Sequence, residues 1–369
     1  MIKKKKVTVL TLQNVRNYGS VLQALATQAI FEQLGCEVDF FNYYRSNISS
    51  VWQRCRTWNQ KKSTMAKVVY PVILFPTFIR QDKVFLKFLN KSLHTQKQRV
   101  STIEDFQSLQ LTSDIYCTGS DQTWNSDWNG GILPEMFLEF VPDHKKKISY
   151  AASMGKGLLD EWEKAETKRL LKRYSAISVR ERSVVDIISN LGINGAIQVL
   201  DPTLQMNREF WMQMARKPKE EKYVLIYQLN TNPQFDAYAR EFAHRKGLKL
   251  LRFCTRFDQI VKCGKSLLIP EVEDFVSYIA YAECVITDSF HATAFSINLN
   301  TNFISIYPKD FSSRLESILE LTGLPSRHLT SYDDFSFVEN MKVNFDSANK
   351  ILAIERKKAV EFLKQAIAN

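Results

Sequence analysis

Several signatures that would assign a chemistry at once are missing from this chain of 369 residues. Its cysteines, Cys36, Cys55, Cys117, Cys254, Cys263 and Cys284, form no CxxC pair, and Cys36, Cys117, Cys254 and Cys284 lie in or beside apolar runs. Buried free thiols are therefore expected, not disulfides or a zinc site. His94, His144, His244, His291 and His328 are scattered without a companion at ligand spacing, which argues against a metal centre. There is no GxSxG elbow and no catalytic-cysteine context, so nucleophilic hydrolysis lacks support. Glycines at dinucleotide-site or P-loop spacing are absent too. The first apolar run, Val7 to Leu12, is too short for a signal peptide or anchor, so a cytoplasmic protein is expected.

Positive charge is absent from Ser101 to Asp143, whereas Val51 to Val100 holds eleven basic residues against one acid, Asp82. That segment carries nearly all of the formal net charge of +11. Inside it, Val68 to Ile79 is apolar, with aromatics and two prolines, and is too short to span a bilayer. Two readings suit such a run between basic flanks: docking on anionic lipid at the inner face of the plasma membrane, or a solvated insertion that packs on its own domain. No nucleic-acid motif accompanies the charge, so nucleic acid is not an expected partner.

What is present is a long alternation of strand-like and helix-like stretches, which predicts parallel sheets covered by helices. Strands are expected at Val7–Leu12, Glu37–Tyr44, Asp114–Gly119, Lys147–Ala152, Ala176–Arg180 and Ala196–Leu200. A second block follows at Tyr223–Leu229, Lys249–Cys254, Leu267–Ile269, Glu283–Thr287 and Phe303–Tyr307. Helices fall between, for example Ser20–Leu34, closed by Gly35. The length exceeds what one core usually serves. The expected fold is α/β: two Rossmann-like domains with a cleft between them, residues 1–215 with the insertion at about 51–100, residues 222–345, and a terminal helix over 346–369.

Polar clusters stand where strands run into helices, the edge at which ligands bind in open α/β sheets. Gln13 to Ser20, with Gln23 one turn on, presents a helix start, with Ser20 as a possible cap; an ordinary capped turn fits as well. Gly119-Ser120-Asp121-Gln122-Thr123-Trp124-Asn125 offers hydroxyl, carboxylate, amide and indole suited to sugar hydroxyls, with Trp124 able to stack on a pyranose. Turn chemistry alone explains its first three residues. Arg180-Glu181-Arg182 reads as an anion clamp, or as a surface ion pair. Asp201 reads as a structural turn. Thr287-Asp288-Ser289-Phe290-His291 places a histidine at a helix N-terminus, where anions are favoured; a partly buried core histidine behind an Asp288-Ser289 cap is the other reading. Lys309, Arg314 and Arg327 follow, and positive groups near one histidine suggest an anionic small molecule.

In chain order these segments, Asn17-Tyr18-Gly19-Ser20 with Gln23, Gly119 to Gln122 with Trp124-Asn125, Ser149 to Ser153, Ser178 to Glu181, Asp201 to Thr203 and Thr287 to His291, resemble the polysaccharide pyruvyl transferase family. The resemblance runs from residue 7 to about 330. It implies a glycosyltransferase-B-like arrangement, no cofactor, and transfer of a pyruvyl group from phosphoenolpyruvate to two hydroxyls of one sugar in a capsular, exopolysaccharide or cell-wall precursor. His291 would be the acid that protonates the donor's methylene carbon. Arg180, with Arg182, would hold carboxylate or phosphate, and Asp121 or Asp288 would take the hydroxyl proton. Part of the family carries an arginine two positions before the histidine; here Ser289 stands there, which passes the second phosphate contact to Lys309 or Arg314. The basic aromatic segment suggests a lipid-linked acceptor. A nucleotide-sugar glycosyltransferase and a non-catalytic assembly subunit are the alternatives.

Overall fold

The computed structural model describes residues 4–45, 51, 54, 64–308 and 312–368, with the backbone alone over 64–73. Its strands are β1 (Lys6–Leu10), β2 (Glu37–Tyr43), β3 (Thr95–Val100), β4 (Ile115–Thr118), β5 (Lys146–Ala152), β6 (Ala176–Val179), β7 (Ile197–Gln198), β8 (Tyr223–Tyr227), β9 (Lys249–Cys254), β10 (Lys265–Leu268), β11 (Cys284–Thr287) and β12 (Phe303–Ser305). The longer helices are α1 (Tyr18–Gln33), α2 (Thr64–Ser92), α3 (Glu161–Leu171), α4 (Arg182–Asn190), α5 (Pro233–Lys246), α6 (Val272–Ala280), α7 (Phe290–Leu299), α8 (Ser313–Leu321) and α9 (Asp346–Ala368).

The chain divides into two compact units. The first takes in the described residues of Met1–Ser46, Phe88–Met206 and Leu352–Asn369. Its parallel sheet runs β3-β2-β1-β4-β5-β6-β7. Central strands are buried on both faces, so they read as continuous apolar runs: Val7, Val9 and Leu10 are fully buried. α1 is buried around nearly its whole circumference and ends at Gly35, whose φ of +81° suits a residue without a Cβ. β3 was not expected. Its sequence TQKQRV carries a single buried residue, Val100, and it lies at the sheet edge, with a neighbouring strand on one side only.

The second unit takes in the described residues of Asn47–Lys87 and Asn207–Ile351, with the parallel sheet β10-β9-β8-β11-β12. Its core gathers Val224, Ile226, Phe235, Phe242, Ile286 and Ile304.

The expected boundaries need three corrections. The charged stretch 216–222 is not where the units part: Trp211 already packs on Phe295 at 4.8 Å in the second unit. Of the expected insertion, the described residues up to Lys87 belong to the second unit, not the first, because α2 is tied there. Arg80 Nε donates to Ile269 O (3.2 Å), Gln81 Nε2 to Thr255 O (2.8 Å), and Arg80 and Lys87 both pair with Glu271. Residues 352–368 pack in the first unit, where Leu352, Ala359 and Leu363 are fully buried and Arg356 Nε donates to Leu204 O (2.9 Å). Cys36, Cys117, Cys254, Cys263 and Cys284 are free thiols, Cys263 alone of these being only half-buried; Cys55 lies outside the described residues. No helix of the described residues is long and apolar enough to cross a membrane.

Candidate functional site

Each sheet has one point where strand order reverses: between β1 and β4 in the first unit, and between β8 and β11 in the second. The loops leaving these strands at their carboxyl ends flank the crevice where open α/β sheets bind ligands. All the motif loops singled out above that follow these four strands fall at these two points.

In the first unit, Asn17 caps α1: its Oδ1 accepts from Gly19 N (2.9 Å) and Ser20 N (3.4 Å). The cap is therefore Asn17, not Ser20, whose hydroxyl instead donates to Asp121 Oδ2. Asp121 sits at φ +84°, a strained conformation for a residue with a side chain, and its other carboxylate oxygen accepts from Gln122 N (2.8 Å). Gly119 is required just before it: a Cβ there would lie 3.0 Å from both Thr11 Cβ and Val9 Cγ1. Thr11 Oγ1 donates to Ser120 O, and Gln23 Nε2 to Thr11 Oγ1 (3.0 Å), which stitches the two loops and α1 together. Tyr18 is buried in the first turn of α1. The amide oxygens of Gln13 and Gln23 and the hydroxyl of Tyr150 are buried with no hydrogen-bond partner among the described residues. Buried polar atoms left this way are places that ligand hydroxyls or water satisfy.

Behind these loops lies a buried charged network. Asp201 Oδ2 accepts from Ser120 Oγ (2.9 Å) and Arg180 Nη1 (2.8 Å), and its Oδ1 from Thr203 N and Oγ1. Arg180 Nε reaches Glu181 (3.4 Å), which also accepts from Ser153 Oγ. Burial pulls the Arg180 pKa down, but Glu181, Asp201 and Asp121 more than offset it, so the guanidinium stays charged. This corrects the clamp reading. Arg180 is 4% exposed and its charge serves internal carboxylates, while Arg182 points to solvent and pairs with Asp186 one turn on. The Arg180–Glu181 pair is not a surface pair either. Trp124 is corrected likewise: it is 3% exposed, stacks on Phe137 at 5.2 Å, and donates its indole N–H to Met136 O (3.1 Å), so no sugar reaches its face. Asn125 donates to Gln122 Oε1 and caps the next turn through Trp128 N (2.9 Å), which builds the loop. Ser153, Glu181 and Asp201 lie in segments that carry the family resemblance but were given no site role, Asp201 being read as a structural turn, and Thr11 was not singled out.

In the second unit, β11 ends at Thr287 and α7 starts at Phe290, with Ser289 as its cap through Ala292 N (3.4 Å). His291 lies in the first turn, 7% exposed, edge-on to Phe290 at 5.2 Å. The Arg314 guanidinium carbon lies 6.0 Å from the Phe290 ring centroid. The Asp288 carboxylate accepts from Leu229 N (2.7 Å), Asn230 N (2.8 Å) and Asn230 Nδ2 (3.0 Å), locking the β8 loop to the β11 loop. Burial raises its pKa above the ordinary carboxylate value against those bonds. Arg327 is a buried structural cation, donating to Phe303 O and Asn340 O and lying 4.5 Å over the Phe337 ring. Lys309 lies outside the described residues. Among the described residues no group of three His, Cys, Asp or Glu could hold a metal ion.

Two Rossmann-like units with polar loops at their switch points define a glycosyltransferase-B-like α/β protein, and solved structures of that fold resemble this chain. LpCGTa in complex with UDP has a TM-score of 0.51 at 10% identity, covering 99% of each chain. A UDP-N-acetylglucosamine 2-epimerase has a TM-score of 0.51 at 11% identity, covering 98% of this chain and 96% of that one. A protein assigned as the same epimerase in Listeria monocytogenes has a TM-score of 0.50 at 10% identity, covering 99% of this chain and 91% of its own. At these identities the likeness shows the fold alone. No curated protein matches by sequence. The family model for polysaccharide pyruvyl transferase matches residues 17–310, and the chain belongs to that family.

Proposed function

We propose that this protein moves the pyruvyl group of phosphoenolpyruvate onto two hydroxyls of one sugar in a capsular, exopolysaccharide or cell-wall glycan precursor, forming a ketal. The observation that carries the reading is His291: an imidazole in the first turn of α7, at the carboxyl end of β11 beside the switch point, in a chain of the pyruvyl transferase family. Imidazole exchanges protons near neutral pH, and the adjoining helix start favours anions.

The enol phosphate becomes electrophilic when its methylene carbon takes a proton, the step assigned to His291. A sugar hydroxyl then adds to the neighbouring carbon and gives up its proton, a role assigned to Asp121. Loss of phosphate and addition of the second hydroxyl close the ketal. The methyl group keeps the proton from His291, the second hydroxyl's proton leaves with phosphate, and the first hydroxyl's proton, released from Asp121 to water, balances the one His291 takes back from water. With Arg180 committed internally, the donor's anionic groups are assigned to the first turn of α7 and to Arg314. The orphaned oxygens of Gln13 and Gln23 support sugar hydroxyls at the first unit's switch point.

An acceptor screen with phosphoenolpyruvate, read by mass spectrometry, tests this: the product is heavier than its acceptor by one pyruvic acid less one water. Turnover is expected to persist in EDTA. His291→Ala is expected to lower acceptor-dependent phosphate release by roughly 10²–10⁴-fold; unchanged release would remove the acid role. Turnover with a UDP-, GDP- or CMP-sugar in place of phosphoenolpyruvate would instead make the protein a glycosyltransferase. The acceptor is proposed to be lipid-linked, with the basic segment 51–100 against anionic lipid. Absence of flotation with anionic liposomes at low salt removes that part.

A further inference from the structure

At the opposite edge of the first unit's sheet, the amino ends of β5, β6 and β7 and one face of α9 line a cavity of about 850 Å³ that is open to solvent. The volume falls within the range of small-molecule sites, roughly 300–1,000 Å³. β5 is 7 residues long, so its two ends are ~20 Å apart and this cavity is separate from the switch-point loops.

Its lining is cationic. Lys145, Lys146, Lys147, Arg173 and Lys358 face two carboxylates, Asp143 and Glu361. Most of these cations are engaged. Lys147 Nζ donates to Val141 O (2.9 Å) and pairs with Asp143 (3.0 Å), Arg173 pairs with Asp143 (2.8 Å), Lys358 with Glu355 (3.2 Å), and Lys145 donates to Ser113 O (3.3 Å). Lys146 differs: its side chain is half-buried, and among the described residues its ammonium nitrogen, below the surface, has no hydrogen-bond partner. Burial, with the Lys5 charge nearby, pulls its pKa below the ordinary lysine value. A buried ammonium without a partner is costly, and an anion that supplied charge-assisted hydrogen bonds would offset that cost. The apolar remainder, Ile197, Phe362 and Ala366, suits a ligand with a non-ionic body.

We propose that this cavity binds a soluble phosphorylated metabolite, toward whose phosphate the half-buried Lys146 side chain turns its ammonium. The site lies apart from the residues assigned to pyruvyl transfer, so its occupant acts as an effector or second ligand of the full chain.

The test uses the full-length protein and inorganic pyrophosphate as probe, by calorimetric titration, with Lys146→Met as the variant. Saturable binding should weaken about tenfold or more in the variant, the loss of one charge-assisted contact. With no anion present, Lys146→Met should unfold at the same temperature as wild type or higher, because an unpaired buried charge has been removed; this separates loss of binding from loss of fold. Binding unchanged by the substitution, or no saturable binding, would overturn the proposal. So would a variant-sensitive capture on phosphatidylglycerol vesicles without pyrophosphate binding in solution, which would make the phosphate that of a lipid headgroup.

Discussion

Replacing Arg180 by methionine separates a structural cation from a substrate clamp. Methionine keeps most of the length and removes the charge. It leaves Asp201 and Glu181, whose side chains are 0% and 2% exposed, without the guanidinium that both contact. Removing one partner of a buried ion pair costs about 3–5 kcal/mol, because the remaining charge is left uncompensated. For a unit of this size each kcal/mol lowers the unfolding temperature by roughly 2–4 °C. Urea unfolding followed by circular dichroism should therefore show a large loss for Arg180→Met. Much of it should return in Arg180→Met/Glu181→Gln/Asp201→Asn, in which no buried charge of the trio remains. A clamp on the donor gives the opposite pattern: near-wild-type stability, a raised KM for phosphoenolpyruvate, and no rescue by the carboxylate changes. A loss below about 1 kcal/mol with a raised KM would refute the structural assignment.

Trp124→Ala should cost about 3–5 kcal/mol in thermal or urea unfolding, as for a large buried aromatic, with the acceptor KM unchanged; a raised KM at full stability would restore the stacking role. Gly155→Ala places a Cβ 2.5 Å from Asn125 Nδ2 and 2.8 Å from Gln122 Oε1 at φ +67°, so a loss of roughly 1–3 kcal/mol is expected by the same assays, and a neutral result would show that the Gln122–Asn125 pair yields. Asp288 titrates above the ordinary carboxylate value in the folded protein. Its contribution is fully present below about 3.9, the unfolded value, and is lost as pH rises through the folded one. Wild type should accordingly lose stability relative to Asp288→Asn as pH rises from about 4, and an opposite slope in that difference would count against the burial-dominated environment.

What the sequence made legible and what it hid follow from one distinction. Strands buried on both faces announce themselves because each residue meets apolar surroundings whatever its partner, so β1, β4, β8 and β11 and their switch-point loops could be located from apolar runs. β3 could not, since an edge strand of Thr, Gln, Lys and Arg satisfies its backbone without burying its side chains. The apolar run Val68 to Ile79 looked like an insertion, yet it is part of a helix whose loyalty to the second unit is set by bonds to Thr255, Ile269 and Glu271, more than 170 residues away in sequence.

The same distinction governs the site. A polar residue at a strand end is visible from sequence, but whether it faces ligand or protein depends on what lies across the sheet. Arg180 meets Asp201 from 21 residues on, Ser120 meets Asp201 from 81 residues away, and Ser20 meets Asp121 across 101. Each pairing gives the residue a partner within the protein that its place in the sequence does not announce. Asp121 keeps a proposed chemical role within that scaffold because Ser20 and Gln122 fix its carboxylate, and a base held in one orientation avoids reorganisation when it takes a proton.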